Sequence, residues 1–324
     1  MLSTRIMRQY GIQQDWARAG YFETARVKEV SGDILQAIMA GRLIAVSGPV
    51  GAGKTAMIHQ LQHRILTEKK VIFARSLSID KPRIVLPALM TALFLDIAGD
   101  PDMKVPTQPE KRERLLQEAI KAAKKPVVLF IDEAHDLHGN TLTGLKRLME
   151  MIDAGRGTLS VVLVGHPRLQ NDLRRATMEE IGHRTTRLAL EGLGDDTAAY
   201  IDWLLNTCLA DGTKPDDAIE PDARAFLAEK LNTPLQIAEH LNRAFTDAFR
   251  MGADRVTRDT VMDTISVGFD DLDARLARIG YTPKALSDQF ELSQSEVRRF
   301  LRGRLDTDRT EERSDLMRQA GLPI

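Results

Sequence analysis

The sequence predicts an α/β fold, a parallel sheet flanked by helices, followed by a small all-helical unit and a helical C-terminal segment. Three observations predict it. Four β-branched runs, Leu43–Ser47, Val71–Ala74, Val127–Ile131 and Ser160–Val164, are separated by helix-length stretches, as in a parallel sheet covered on both faces. Between the runs, apolar residues follow the 3.6 period, at Ile58, Leu61 and Ile65 and again at Leu145, Leu148, Met149 and Ile152. From Asp195 onward the strand signals stop.

The elements follow in order. Residues 1–40 form an N-terminal extension and 41–194 the sheet-bearing core. The window Ile84–Ala98, broken by Pro87, Thr91 and Asp96, reads as a buried helix; it is shorter than the roughly 20 residues that cross a bilayer. A fifth strand is expected near Arg187–Leu190, ahead of Gly192 and Gly194. Helices are expected over Thr197–Asp211, Pro221–Lys230, Pro234–Met251 and Thr257–Ser266 within a unit spanning 195–267. Residues 268–324 form the last module. In it Leu286-Ser-Asp-Gln-Phe290-Glu-Leu-Ser293-Gln-Ser-Glu-Val297 has helix-turn-helix spacing, with Leu286, Phe290, Val297 and Leu301 facing inward and Ser293 capping the second helix.

Composition narrows the function. The 324 residues carry 45 Lys+Arg against 46 Asp+Glu, a net charge of −1, which excludes a histone-like polycation and requires any nucleic-acid contact to be a local patch. A hydrophobic content of 43% is too high for a disordered chain. Cys208 is the sole cysteine, so an intrachain disulfide and a cysteine zinc site are both excluded, which fits a reducing cytoplasm. The opening Met1-Leu-Ser-Thr-Arg-Ile-Met-Arg lacks the apolar run of a secretory signal. The expected location is cytoplasmic, with no membrane partner.

Gly48-Pro49-Val50-Gly51-Ala52-Gly53-Lys54-Thr55 fits the phosphate-loop pattern, after a predicted strand and opening a predicted helix that continues with Ala56. Glycines let backbone N–H groups wrap phosphates, and the helix N-terminus favours negative charge. Lys54 would reach the β- and γ-phosphates and the Thr55 hydroxyl would ligate Mg²⁺. The strand Val127–Ile131 ends in Asp132-Glu133. Asp132 would hold Mg²⁺ through water, and Glu133 would polarise the attacking water. The pair of motifs predicts binding of ATP with Mg²⁺. His166, ending the Ser160–Val164 strand, either senses the γ-phosphate or fills a strand exit. Arg184 and Arg187 are each either a finger reaching a neighbouring subunit's nucleotide or a surface ion pair.

Together these residues resemble an AAA+ ATPase, with the helical unit 195–267 as its lid. Phe130-Ile-Asp-Glu-Ala-His135-Asp-Leu137, Leu163-Val-Gly-His-Pro-Arg-Leu169 and Thr233-Pro-Leu-Gln-Ile237 are similar to the transposition ATPases typified by MuB, TnsC and TniB, and to the related ExeA-type ATPases. The resemblance covers about Gly41 to Ser266. It implies an AAA+ phosphate-loop core whose copies assemble on duplex DNA, often as a filament, and recruit or activate a transposase, with hydrolysis resetting the complex. It also places nucleotide between subunits. Where many AAA+ lids carry a sensor arginine, this chain has Gln236, which leaves either weak coupling of the lid to hydrolysis or Arg243 in the arginine's place. Tyr21-Phe22 is either near the adenine or a core aromatic pair.

Arg298, Arg299, Arg302 and Arg304 lie on or after the second helix of the C-terminal module, which either contacts DNA or docks on a transposase. Lys81 and Arg83 follow the second strand, where the resembled ATPases face DNA; such contacts would be to phosphates. His59 and His63, spaced i,i+4 without an intervening glutamate, do not make a metal motif. The helicase reading suggested by Asp132-Glu-Ala-His135 fails for want of a second α/β lobe. An ExeA-like secretion role would bring a membrane segment, and none is read. The alternative that stays open is a loader or remodelling ATPase with a protein client and no ATP-gated DNA binding.

Overall fold

The computed structural model describes residues 1–75, 85–98, 105–173, 185–266 and 271–324. Lys81, Arg83 and Arg184 lie outside the described residues. The chain divides into two units, one of Ala25–Gly48 with Lys54–Leu190, the other of Met1–Thr24, Pro49–Gly53 and Glu191–Ile324.

The first unit is the sheet. Strands β1 (Leu43–Ser47), β2 (Ile72–Arg75), β3 (Val127–Ile131), β4 (Leu159–Gly165) and β5 (Thr185–Ala189) are all parallel, in the order β2-β3-β4-β1-β5. Every residue of β1, β3 and β4 is buried, which is why those strands read as unbroken apolar runs. One face carries Leu43, Ala45, Leu129, Ile131, Val161 and Leu163. It packs with residues of α4 (Leu86–Ala98), α5 (Pro109–Ala123) and α6 (Gly139–Ala154). Helices α2 (Ala25–Met39), α3 (Lys54–Glu68) and the short α7 (Arg168–Asp172) contact strands of the sheet as well, and Ser160 Oγ donates to the Ile38 carbonyl at 2.7 Å. Strand β5 begins at Thr185, earlier than its apolar residues suggest, because buried Thr185 pairs with Leu43.

The register aligns the strand ends. Ser47 pairs with both Gly165 and Ala189, and Ile131 with Leu163. Gly48, Asp132, His166 and Leu190 therefore leave the sheet at one carboxyl edge, where ligands of open α/β sheets bind.

The second unit is helical and has two apolar cores. The larger is formed by α8 (Thr197–Cys208), α10 (Pro221–Lys230), α11 (Pro234–Arg250) and α12 (Arg258–Ser266), with the short α9 (Pro215–Ala218) between the first two. The N-terminal residues Leu2, Ile6, Tyr10, Ile12 and Trp16, from and after α1 (Thr4–Gln9), belong to the same core. Tyr10 packs edge-on against Phe245 and donates its hydroxyl to the Ala253 carbonyl at 2.8 Å; Trp16 Nε1 donates to Asn242 Oδ1 at 3.1 Å. These contacts also explain why α8 stops at Cys208 and not at Asp211. Leu209 turns extended and bridges Ile12, while the Ala210 N–H donates to the Gly11 carbonyl at 2.7 Å.

The smaller core closes α13 (Leu272–Arg278), α14 (Pro283–Phe290), α15 (Gln294–Leu301) and α16 (Thr307–Gln319) around Leu276, Tyr281, Leu286, Val297, Phe300, Leu301 and Met317. Helices α14 and α15 meet across a three-residue turn, as a helix-turn-helix requires. Ser293 caps α15 by accepting from the Glu296 N–H at 3.2 Å, as its position predicts.

Candidate functional site

At the carboxyl edge of the sheet, β1 delivers Gly48 and α3 begins with Lys54 and Thr55. Gly48 is imposed by space: a Cβ there would lie 2.1 Å from the Leu190 carbonyl oxygen. Gly53 is imposed by conformation, with φ +90° and nothing near its missing Cβ. Lys54 Nζ donates to the Gly48 carbonyl at 2.8 Å, so the lysine folds back over the strand end it follows. Burial lowers the Lys54 ammonium below its ordinary pKa, against the opposing pull of Glu133 and Asp132.

Thr55 Oγ1 donates to Asp132 Oδ2 at 3.4 Å, and Asp132 Oδ1 accepts from the Glu133 N–H at 2.9 Å. A hydroxyl and a carboxylate at this spacing fit a hard divalent cation such as Mg²⁺, which takes oxygen ligands at about 2.0–2.1 Å and keeps several waters. Glu133 stands in the left-handed region at φ +51°, which a side chain rarely adopts and which strains the backbone by roughly 1–2 kcal/mol. That turn sends the chain from β3 into a 3-10 turn over Ala134–Asp136 and leaves the Glu133 side chain 63% exposed.

His166 stands beside this carboxylate, its Nε2 3.8 Å from Glu133 Oε2. Sequence reasoning singled out His166 but gave His135 no role. The structure places His135 Nδ1 3.3 Å from the same oxygen, with the two imidazole centroids 4.2 Å apart. The signal for His135 was present in the Asp132-Glu-Ala-His135 spacing: a strand exit followed by one 3-10 turn returns the third residue to the strand end.

Residues Pro49–Gly53 belong to the helical unit. There the Val50 N–H donates to the Arg278 carbonyl at 2.9 Å, and Leu235 lies close behind Gly51. Ala52 is buried, its N–H directed to the Pro49 carbonyl at 3.3 Å. Ala56 lies in the exposed first turn of α3.

Gln236 is fully engaged by its own helix. Its Oε1 accepts from the Asn232 and Thr233 N–H groups at 3.1 and 3.2 Å, while Thr233 Oγ1 accepts from the Gln236 N–H at 3.3 Å, a reciprocal capping box. Arg243 pairs with Glu239 one turn earlier on α11. Phe22 is half-buried and packs on Tyr200 and Trp203 against the larger helical core; burial raises the neighbouring Tyr21 hydroxyl to about 12.

Arg187 is exposed in the middle of edge strand β5, opposite Ala45. Arg298, Arg299, Arg302 and Arg304 are all exposed, while Val297, Phe300 and Leu301 on the same stretch are buried. One face of α15 therefore holds the module together and the other carries cations. The flanking Glu296 pairs with Arg313 at 3.0 Å.

Residues 38–173 match the family model of an AAA domain. General secretion pathway protein A of Aeromonas hydrophila is 31% identical over 163 residues, 50% of this chain and 29% of that protein, so the chain spans less than a third of this relative's length. Among solved structures, the ORC2 protein of Aeropyrum pernix, in ADPNP–ADP complexes, is similar over 99% of this chain and 90% of that one, with TM-score 0.56 and 14% identity. Cdc6p of Pyrobaculum aerophilum is similar over 95% and 91%, with TM-score 0.54 and 16% identity. Drosophila ORC bound to DNA is similar over 94% and 80%, with TM-score 0.54 and 12% identity. At such identities the likeness is one of fold. Residues 38–173 thus match an AAA domain, and the fold is a five-stranded parallel sheet flanked by helices, followed by a helical C-terminal segment, as in these structures.

Proposed function

We propose that this protein is a Mg²⁺-dependent ATPase that assembles on duplex DNA when ATP is bound and recruits or activates a transposase there. The observation that carries the ATPase reading is the oxygen and nitrogen set at one sheet edge: Lys54, the Thr55–Asp132 pair and the exposed Glu133. In this reading the loop Gly48–Thr55 and the first turn of α3 bind the phosphates. Thr55, and Asp132 through water, hold Mg²⁺, which neutralises phosphate charge when bound. Lys54 supplies a partly desolvated ammonium to the β- and γ-phosphates. Glu133 accepts a proton from the attacking water, and His166 orients that water or reports the γ-phosphate.

DNA enters the proposal through the four exposed arginines on and after α15, and through the precedent of fold that one similar structure, Drosophila ORC, is bound to DNA. Contacts from Arg298, Arg299 and Arg302, with Lys81 and Arg83, would go mainly to phosphates, making binding salt-dependent and tolerant of sequence. Arg187, exposed on an edge strand, or Arg184, would reach the nucleotide of a neighbouring copy. A cytoplasmic setting goes with a DNA partner; no helix among the described residues is long and apolar enough to cross a membrane.

The test is anisotropy of a labelled random-sequence duplex titrated with protein in Mg²⁺ plus a non-hydrolysable ATP analogue, or plus ADP. Cooperative binding with the analogue alone is expected. A folded, nucleotide-loaded protein that binds no duplex in either state would overturn the DNA reading and point to a protein client.

A further inference from the structure

We infer that Glu133, His135 and His166 form a site for one divalent transition-metal ion of the zinc type, and that its occupation removes Glu133 from hydrolysis. The site itself stands on geometry; only the inhibition rests on the reading of Glu133 as the water-activating carboxylate.

The three residues come from two adjacent strand ends. Glu133 Oε2 lies 3.3 Å from His135 Nδ1 and 3.8 Å from His166 Nε2, and ligand atoms of all three lie within 4.8 Å of one another. Zinc bound tetrahedrally at about 2.0–2.1 Å places its donors roughly 3.4 Å apart. Both pairs that involve the carboxylate already stand near that spacing, and the widest pair closes by at most about 1.4 Å. Two imidazoles and one glutamate are the donor set of open zinc sites, with water in the fourth position.

The surroundings suit an ion better than a simple charge pair. The imidazoles are largely sunk, their side chains 14% and 17% exposed, while the carboxylate at 63% faces solvent. An ion can therefore enter past Glu133 and meet nitrogen donors behind it. The left-handed turn at Glu133 and the 3-10 turn after it hold carboxylate and His135 on one side of the strand exit.

Hardness separates this site from its neighbour. Thr55 and Asp132 offer only oxygen, which suits Mg²⁺; the His135–His166–Glu133 set offers two imidazoles, which suit zinc, cobalt or nickel. One sheet edge thus presents two cation sites of different selectivity. Filling the nitrogen site would leave the phosphate-binding lysine and loop untouched.

The experiment is a Co²⁺ titration of the tag-free full chain without nucleotide, followed by its visible d–d absorption. One equivalent giving an intense tetrahedral-type band, displaced by Zn²⁺, is expected. His135→Ala and His166→Ala, each shown folded by circular dichroism, should weaken Co²⁺ binding at least about tenfold. The paired substitution His59→Ala/His63→Ala and the single Lys54→Ala should leave it unchanged. A band absent from the folded wild type, persisting in His166→Ala, or lost in the His59/His63 variant would overturn the site. A second arm measures ATP turnover in excess Mg²⁺ with added Zn²⁺, beside affinity for a fluorescent ATP analogue. Turnover should fall while analogue affinity holds; turnover undiminished with the site filled would overturn the inhibition. A protein that binds Co²⁺ at these residues yet never hydrolyses ATP would overturn the ATPase reading and leave the metal site standing.

Discussion

The carboxyl edge of the sheet and the larger helical core are built on opposite terms. At the sheet edge, Glu133 holds a left-handed backbone, its charge faces water, and Lys54 is pulled below its ordinary pKa. In the helical core, Leu204, Leu227, Leu241 and Phe245 are fully buried, and Gln236 satisfies two backbone donors of the turn that leads into its own helix. Strain and exposed charge collect where chemistry is proposed, while the helical core turns its polar groups to caps. Substitutions at the edge should therefore cost activity and little stability, and substitutions in the helical core the reverse.

The largest effect expected from that contrast is at Glu133. Glu133→Gln should bind ATP normally and lower turnover by about 10²–10⁴-fold, as loss of a general base does; wild-type turnover in steady-state kinetics would remove Glu133 from the mechanism. Lys54→Ala should instead lose nucleotide affinity, read by titration with a fluorescent ATP analogue. Next in size is Trp16→Ala. It removes a buried aromatic and its bond to Asn242 and should destabilise the helical unit by about 3–5 kcal/mol in denaturant unfolding. A shift below about 1 kcal/mol would show that the N-terminal residues are not part of that core.

A smaller effect follows from His240, buried in α11 with Nδ1 2.8 Å from the Gln236 carbonyl. Burial lowers its pKa below the ordinary 6.5, so the unfolded chain binds more protons than the folded one in the interval between the two values. Stability should therefore fall as pH drops below about 6.5 and be recovered above it. His240→Gln should flatten the melting-temperature profile between neutral and mildly acidic pH, and an unchanged slope would assign the dependence to another group. The smallest effect is at Glu291, which ends α14 in the left-handed region at φ +53°, the turn position where glycine is common. Glu291→Gly should raise the unfolding midpoint of the C-terminal module by the equivalent of about 1 kcal/mol.

How much of this was legible depended on the range of the interaction. Strand and helix positions came out within a few residues, because burial on both faces leaves a continuous apolar run and a one-sided helix leaves a 3.6 period. Helix Pro221–Lys230 came out with its observed ends, since proline opens it and Lys230 closes it. Residue His135 was passed over because its meaning lies in a distance to His166, thirty-one positions away across two strands. The end of α8 was missed for the same reason: Leu209 leaves the helix to meet Ile12, and nothing near Leu209 says so.

By itself the sequence determined the class of fold, the glycine-rich turn between β1 and α3 and the carboxylate pair, because each is written in neighbouring residues: glycines at turn positions, continuous apolar runs, a strand ending in Asp132-Glu133. Only the tertiary structure decided that Gln236 is a cap, that Trp16 belongs to the larger helical core, and that two histidines converge on one glutamate. The physical reason is that a capping box, a buried aromatic and a ligand cluster are defined by angstrom-scale distances between side chains. Strand register and helix packing set those distances, and local composition does not.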